Sequence, residues 1–119
     1  MTSKAKTAID DIAGNCLAVR TRIVSRDITR LYDEHLRPLG IRVTQLSVLV
    51  AIGAMGDVMP LEIGKKLHLD KSTLSRTLSI LRQNGWIDDL VSEDGRSRPV
   101  RLSAAGRKLV TKAHPYWKQ

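Results

Sequence analysis

Phenylalanine is absent from this 119-residue chain, and aromatic residues make up only 3% of it. Single-stranded nucleic acid is held largely by stacking bases on aromatic side chains, so that mode of binding is not expected. Cys16 is the only cysteine and leaves no internal disulfide to form. The cytoplasm is the compartment this favours. No apolar run approaches the roughly 20 residues needed to span a bilayer, so no membrane partner is expected. Met1 to Lys6 carry charge with no apolar signal core behind them. The histidines His35, His68 and His114 are scattered without metal-ligand spacing. Gly64-Lys65-Lys66 lacks the upstream glycine and following Ser/Thr of a phosphate-binding loop. No carboxylate pair stands out. The sequence offers no case for an enzyme, a metal or a cofactor. It shows no repeat or low-complexity tract.

Basic charge is what the chain has in excess. Lys+Arg number 20 against 12 Asp+Glu, a net charge of +8, and the pI is near 10.2. A polyanion such as nucleic acid suits that balance. The hydrophobic fraction of 42% is that of a folded domain, and 119 residues make one domain with something to gain from dimerisation.

The pattern predicts a mainly α fold with a small two-stranded β wing. Residues 1–8 read as a flexible arm, and 9–119 as the domain. Ala8 to Leu36 reads as one long helix. Ile9, Ile12, Cys16, Val19 and Ile23 alternate by three and four, the seam of a helix that meets another helix. Val24, Ile28, Leu31 and His35 continue it on a rotated face. That is more apolar surface than one small domain covers, so these seam residues are expected to pair two copies. Val43 to Met55 follows, with Thr44 as the expected N-cap. Pro60 opens a third helix running to about Leu67 that buries Leu61 or Ile63. Gly64 inside it costs roughly 1 kcal/mol against Ala unless a close helix crossing requires it.

Asp70 caps the next helix, and Gly85 ends it in a left-handed conformation. On this helix Leu74, Leu78 and Leu81 fall within about 60° of one another. Ser72, Arg76, Ser79 and Gln83 gather on the other side, with Ser75 beside them. Arginine forks to the O6 and N7 of guanine, and small hydroxyls reach phosphates or base edges. Lys71, Ser72 and Thr73 lie in the first turn, where free N–H groups favour a phosphate. A polar face is also what any solvated helix presents. The preceding helix and turn are what favour DNA.

Trp86 to Val91 and Val100 to Leu102 read as two strands joined through a turn at Asp94-Gly95. Arg96, Arg98 and Arg101 make this hairpin basic, which suits a narrow minor groove, and Asp94 is placed to pair with Arg96. Ser103 caps a last helix that starts at Ala104 and meets Pro115, where a kink is expected.

These residues resemble the MarR family of bacterial transcription regulators over nearly the whole chain from Ile9. The likeness rests on Leu69-Asp70-Lys71-Ser72-Thr73-Leu74-Ser75-Arg76 and on Asn84-Gly85-Trp86-Ile87. It rests also on the wing pattern of Asp94, Arg96, Leu102 and Ser103, followed by Gly106. The resemblance implies a homodimeric winged helix-turn-helix protein on a palindromic operator in double-stranded DNA. The Asp70–Asn84 helix would enter the major groove and Arg96 the minor groove. It further implies repression relieved by a small effector or an oxidant. His68 stands in the turn where the family often has glycine. The chain also ends before the further C-terminal dimerisation helix such proteins carry.

One branch of the family senses peroxides through a cysteine near the start of the first helix. Aligned through Gln45, that position falls on Ala18, and the branch's two tyrosines fall on Tyr32 and Val43. Cys16 therefore reads as a small seam residue, with a redox sensor as the alternative. Arg22, Arg26 and Arg30 read as a solvated face paired with Asp33 or Glu34. Two other function classes remain. One is an architectural DNA-binding protein without base selection, and the other is a protein-interaction module.

Overall fold

A computed structural model describes residues 2–91, 95 and 98–118. The helices are α1 Ser3–Asn15, α2 Leu17–Leu36, α3 Val43–Met55, α4 Pro60–Leu67, α5 Lys71–Gln83 and α6 Ala104–Lys118. A short 3-10 turn, Arg37–Leu39, links α2 to α3, and strands β1 Ile87–Asp89 and β2 Val100–Leu102 lie between α5 and α6. The mainly α fold with its two-stranded wing is the architecture the sequence predicts.

The core has two parts. Val48, Leu49 and Ile52 of α3 meet Ile63 of α4, Leu74, Leu78 and Leu81 of α5, and Ile87 and Val100 of the strands. A second cluster joins Leu36, Ile41, Leu46 and Ala113, and Trp86 packs against both. Each fully buried Leu or Ile here contributes roughly 1.5–3 kcal/mol. Of the two candidates on α4, Ile63 is the core residue at 0% exposure, while Leu61 is 68% exposed. Gly64 sits at the predicted close crossing, because a Cβ there would lie 3.3 Å from Leu74 Cδ2.

Four expectations need correction. Residues Ser3 to Ala8 are helical rather than a loose arm. Thr2 caps them by accepting the Ala5 N–H at 3.2 Å, and Lys4, Ala5 and Lys6 are good helix formers. The segment lacks apolar residues to bury before Ile9, so its periodicity was silent. Second, the long helix is broken at Cys16, whose ψ of 109° is extended. Gly14 and Asn15 are weak helix formers, and the Arg20 guanidinium donates to the Gly14 carbonyl that the break frees. Third, Arg42, not Thr44, is the N-cap of α3. Its N–H donates to Gln45 Oε1 at 3.0 Å, and the Val43 N–H donates to Asp33 Oδ1 at 2.7 Å. Fourth, β1 is three residues long, not the six from Trp86 to Val91.

Within one chain the predicted pairing seam has nothing to pack on. Ile9, Ile12, Val19 and Ile23 are all exposed, Cys16 is half-buried at the break, and Leu36 is the only buried residue of α2. Leu17, Val24, Ile28 and Leu31 are exposed as well. Pro115 lies inside α6, which continues to Lys118.

Candidate nucleic-acid interface

Asp70 starts the site. It stands outside the helix at φ −71°, ψ 162°, and its Oδ1 accepts the Thr73 N–H at 2.7 Å. That backbone hydrogen bond, then the Thr73 hydroxyl and the Arg76 charge, hold the Asp70 carboxyl below its ordinary value. The cap therefore already places an anion at the helix start. Of the first-turn N–H groups, that of Thr73 is taken by this cap. Thr73 is half-buried, and its Oγ1 lies 3.5 Å from Arg76 Nη2.

The α5 faces divide as their spacing demands. Leu74, Leu78 and Leu81 are buried, joined by Thr77, whose hydroxyl donates to the Thr73 carbonyl at 2.8 Å. Ser72, Ser75, Arg76, Ser79 and Gln83 are all exposed, as is Lys71. The structure thus brings together on one outward strip the α5 residues singled out from sequence, with Thr73 turned partly inward.

The turn before α5 carries its own constraint. His68 adopts a left-handed conformation, φ 54° and ψ 43°, and the Leu69 N–H donates to the Gly64 carbonyl at 3.0 Å. Histidine thus occupies the backbone state that glycine takes most readily. Gly85, at φ 72°, ends α5 as predicted.

The wing stands beside this strip. β1 and β2 pair antiparallel, with Ile87 opposite Leu102, Asp88 opposite Arg101 and Asp89 opposite Val100. Val58 extends the ribbon by bridging Val100 from the other edge. Arg98 is exposed. Asp94 and Arg96 lie outside the described residues, so the Asp94–Arg96 pairing is not placed. Arg101 does not stand free at the hairpin, because its Nε lies 3.4 Å from Asp57 Oδ1. Sequence reasoning missed this pair and a second one, Arg82 Nε to Asp89, at 3.0 and 2.9 Å from the two carboxylate oxygens. Arg82 and Asp89 are seven residues apart across the turn from α5 into β1, and Asp57 meets Arg101 because the neighbouring Val58 bridges Val100. Neither ion pair involves Arg22, Arg26 or Arg30, and Asp33 is engaged with the Val43 backbone.

Two clefts border the lobe. One of about 530 Å³ lies between α4 and α5, floored by Pro60, Leu69, Leu74 and Leu78 and rimmed by Lys65 and Arg82. The other, of about 490 Å³, lies where α2 meets α3 and is lined by Arg30, Glu34, Arg37 and Arg42. Among the described residues no group of three or more His, Cys, Asp or Glu side chains is arranged to hold a metal. Among the described residues no single helix is long and apolar enough to cross a membrane.

Comparison with known proteins agrees with this architecture. The MarR family model matches residues 41–97, which run from the start of the α3 region into the wing. The multiple antibiotic resistance protein MarR of Salmonella typhimurium is 34% identical over 93 residues, 77% of this chain and 65% of that protein. The chain thus matches slightly less than two thirds of that relative's length. The M. tuberculosis transcriptional regulator MosR, solved in complex with DNA, superposes with a TM-score of 0.78 at 31% identity, covering 87% of this chain and 76% of that one. A mutant MarR from E. coli complexed with operator DNA gives a TM-score of 0.80 at 28% identity, covering 89% and 76%. Sequence, wing and helix-turn-helix agree: the chain belongs to the MarR family.

Proposed function

We propose that this chain is a sequence-specific, dimeric DNA-binding transcription regulator of the cytoplasm, a repressor that a small ligand releases from a palindromic operator. The observation that carries this reading is the division of α5. Its leucines are locked in the core, and a strip of small hydroxyls, one amide and one arginine faces outward beside a basic hairpin. Such a strip fits a major groove, where Arg76 would fork to a guanine and Ser72, Ser75, Ser79 and Gln83 would meet base edges or phosphates. Lys71 and Thr73 would serve the backbone at the helix start, and Arg98 with Arg96 and Asp94 would serve the minor groove. MosR and MarR, both solved with DNA, support the reading by likeness.

Dimerisation is supported by the uncovered apolar length of α1 and α2. Ligand release is supported by the arginine-lined cleft where α2 meets the DNA-binding lobe, since an occupant there would bear on both. The reading gives the chain no chemical step to catalyse.

Selection of duplexes from a random-sequence pool tests the proposal, followed by competition against unselected DNA. A specific regulator prefers its selected site by about 10³-fold or more. Equal binding to both pools would mean an architectural protein. No binding at low salt would mean an interaction module. Sedimentation of the free chain checks the dimer, and a monomer at micromolar concentration would refute that part.

A further inference from the structure

The wing ribbon is tied unevenly. β2 is held by backbone bonds on both edges: to β1 on one side, and to Val58 on the other through Val58 N–H to Val100 O at 3.0 Å and Val100 N–H to Val58 O at 2.8 Å. β1 is the outer strand and has backbone partners on one edge only. Its side chains alternate between faces, so Ile87 and Asp89 share one face and Asp88 takes the other. Ile87 is buried in the core, and Asp89 on the same face meets Arg82 in the last turn of α5. Directly opposed strand residues share a face, so Arg101, opposite Asp88, lies on the reverse face. From there it reaches Asp57, just before Val58. One ion pair therefore pulls the ribbon towards α5, and the other pulls it from the reverse face towards the turn between α3 and α4.

We propose that these two ion pairs act as opposed stays that set the angle between the wing and α5, with Arg82–Asp89 as the adjustable one. On the DNA-binding reading, that angle decides whether Arg98 and the outer strip of α5 meet one duplex together. Arg82 and Asp89 are thus positioning residues, distinct from the residues that touch DNA. Both pairs are largely exposed, with side-chain exposures of 40% and 36% for Arg82–Asp89 and 48% and 57% for Arg101–Asp57. Exposed pairs add little to global stability and weaken with salt. Orientation is the property they can control without holding the fold together.

Two measurements on the full chain test this. In a Cys16→Ser background, spin labels at Ser79→Cys and Val91→Cys report the distance from α5 to the wing, diluted with unlabelled chain. The expected result at about 50 mM salt, where the screening length is above 10 Å, is one narrow distribution. It broadens or shifts with Arg82→Gln, and returns when Arg82→Glu is combined with Asp89→Arg. Thermal unfolding stays nearly unchanged throughout, which separates orientation from folding. Distributions identical in all three proteins would overturn the proposal.

The second measurement is hydroxyl-radical protection of duplexes selected by the parent chain. Arg82→Gln should keep the central protection, lose the flanking minor-groove protection and bind about tenfold more weakly, the size of one lost wing contact. The charge exchange should restore both. Unchanged flanking protection would overturn the link from angle to DNA. Failure of the parent to select any sequence would refute the DNA-binding reading instead, and the label distances would still decide whether the stays set the angle.

Discussion

Gly106→Ala is expected to destabilise the protein although it places alanine in a helix. Gly106 lies in the first turn of α6 and is buried. A Cβ there would fall 2.1 Å from the Trp86 carbonyl oxygen and 3.0 Å from its carbonyl carbon. Ordinary carbon–oxygen contact is a little over 3 Å, so α6 and the root of β1 must part by about 1 Å. The same carbonyl accepts the Ser103 N–H at 3.0 Å, and Ser103 Oγ in turn donates to Gly85 O and accepts the Gly106 N–H. Parting the two segments strains that whole joint. Overpacking of this kind costs about 1–3 kcal/mol, and a weakened buried hydrogen bond about 1 kcal/mol or more. The gain in helix propensity is about 1 kcal/mol. The net loss is about 1–3 kcal/mol, which lowers the melting temperature by roughly 4–12 °C in a chain this size. Gly14→Ala is the control, since a Cβ at Gly14 meets nothing within 4 Å. It should stabilise the protein by up to about 1 kcal/mol. Calorimetry or urea unfolding at fixed protein concentration reads both. A Gly106→Ala protein as stable as wild type would refute the close packing of α6 on the wing root.

Other expectations follow from the same structure. Arg76→Ala should cost about 1–3 kcal/mol on a selected duplex and relax the preference at one base, read by binding titration across single-base variants. Arg98→Ala should weaken all duplexes alike and reduce the slope of log K against log salt by roughly one. Ile63→Ala should cost about 2–5 kcal/mol in urea unfolding, whereas Leu61→Ala should stay within about 0.5 kcal/mol; the reverse order would invert the buried face of α4. The Asp70 carboxyl titrates below its ordinary value when folded, so its stabilisation is complete above that value and is lost as pH falls through the lower folded value. Asp70→Asn removes the charge and keeps an acceptor, so its deficit against wild type should be full near neutrality and vanish in acid. A deficit that persists unchanged at low pH would show that the charge is not what matters.

Legibility from sequence followed the range of the interaction. The α5 faces, the Asp70 cap, the Gly85 end and the Gly64 crossing were readable because each depends on spacing within a turn or two. The break at Cys16 was not readable, because the hydrophobic period runs through it without a fault. It is fixed instead by Gly14, Asn15 and a guanidinium six residues away. Arg42 takes the place expected for Thr44 because Asp33, ten residues before Val43, accepts the Val43 N–H in place of a cap side chain. In the candidate site the outward strip was legible and its bracing was not. Arg82, Asp89, Arg101 and Asp57 look like ordinary surface charges until the turn after α5 and the Val58–Val100 bridge bring their elements together. By sequence alone Arg101 belongs to the basic hairpin for that reason.

The distribution of charge separates two tasks that a DNA-binding surface must perform. Among Ser72, Ser75, Arg76, Ser79 and Gln83 there is a single formal charge, and Asp70 places an anion at the start of the same helix. Those five side chains therefore have little to offer a phosphate backbone at long range. Other basic residues are Lys71 at the start of α5, Lys65 and Lys66 on α4, Arg98 on the wing, and Arg107, Lys108 and Lys112 on α6, with more on α1 and α2. Phosphate attraction is independent of sequence and falls with salt, whereas hydrogen bonds to base edges carry the choice of site. Neutralising Lys65 and Lys66 together should thus lower affinity for selected and random duplexes by the same factor. Altering Ser79 or Gln83 should change their ratio with the salt slope unmoved. Were the ratio to follow the lysines instead, selection would reside in the shape of the duplex rather than in contacts made by α5.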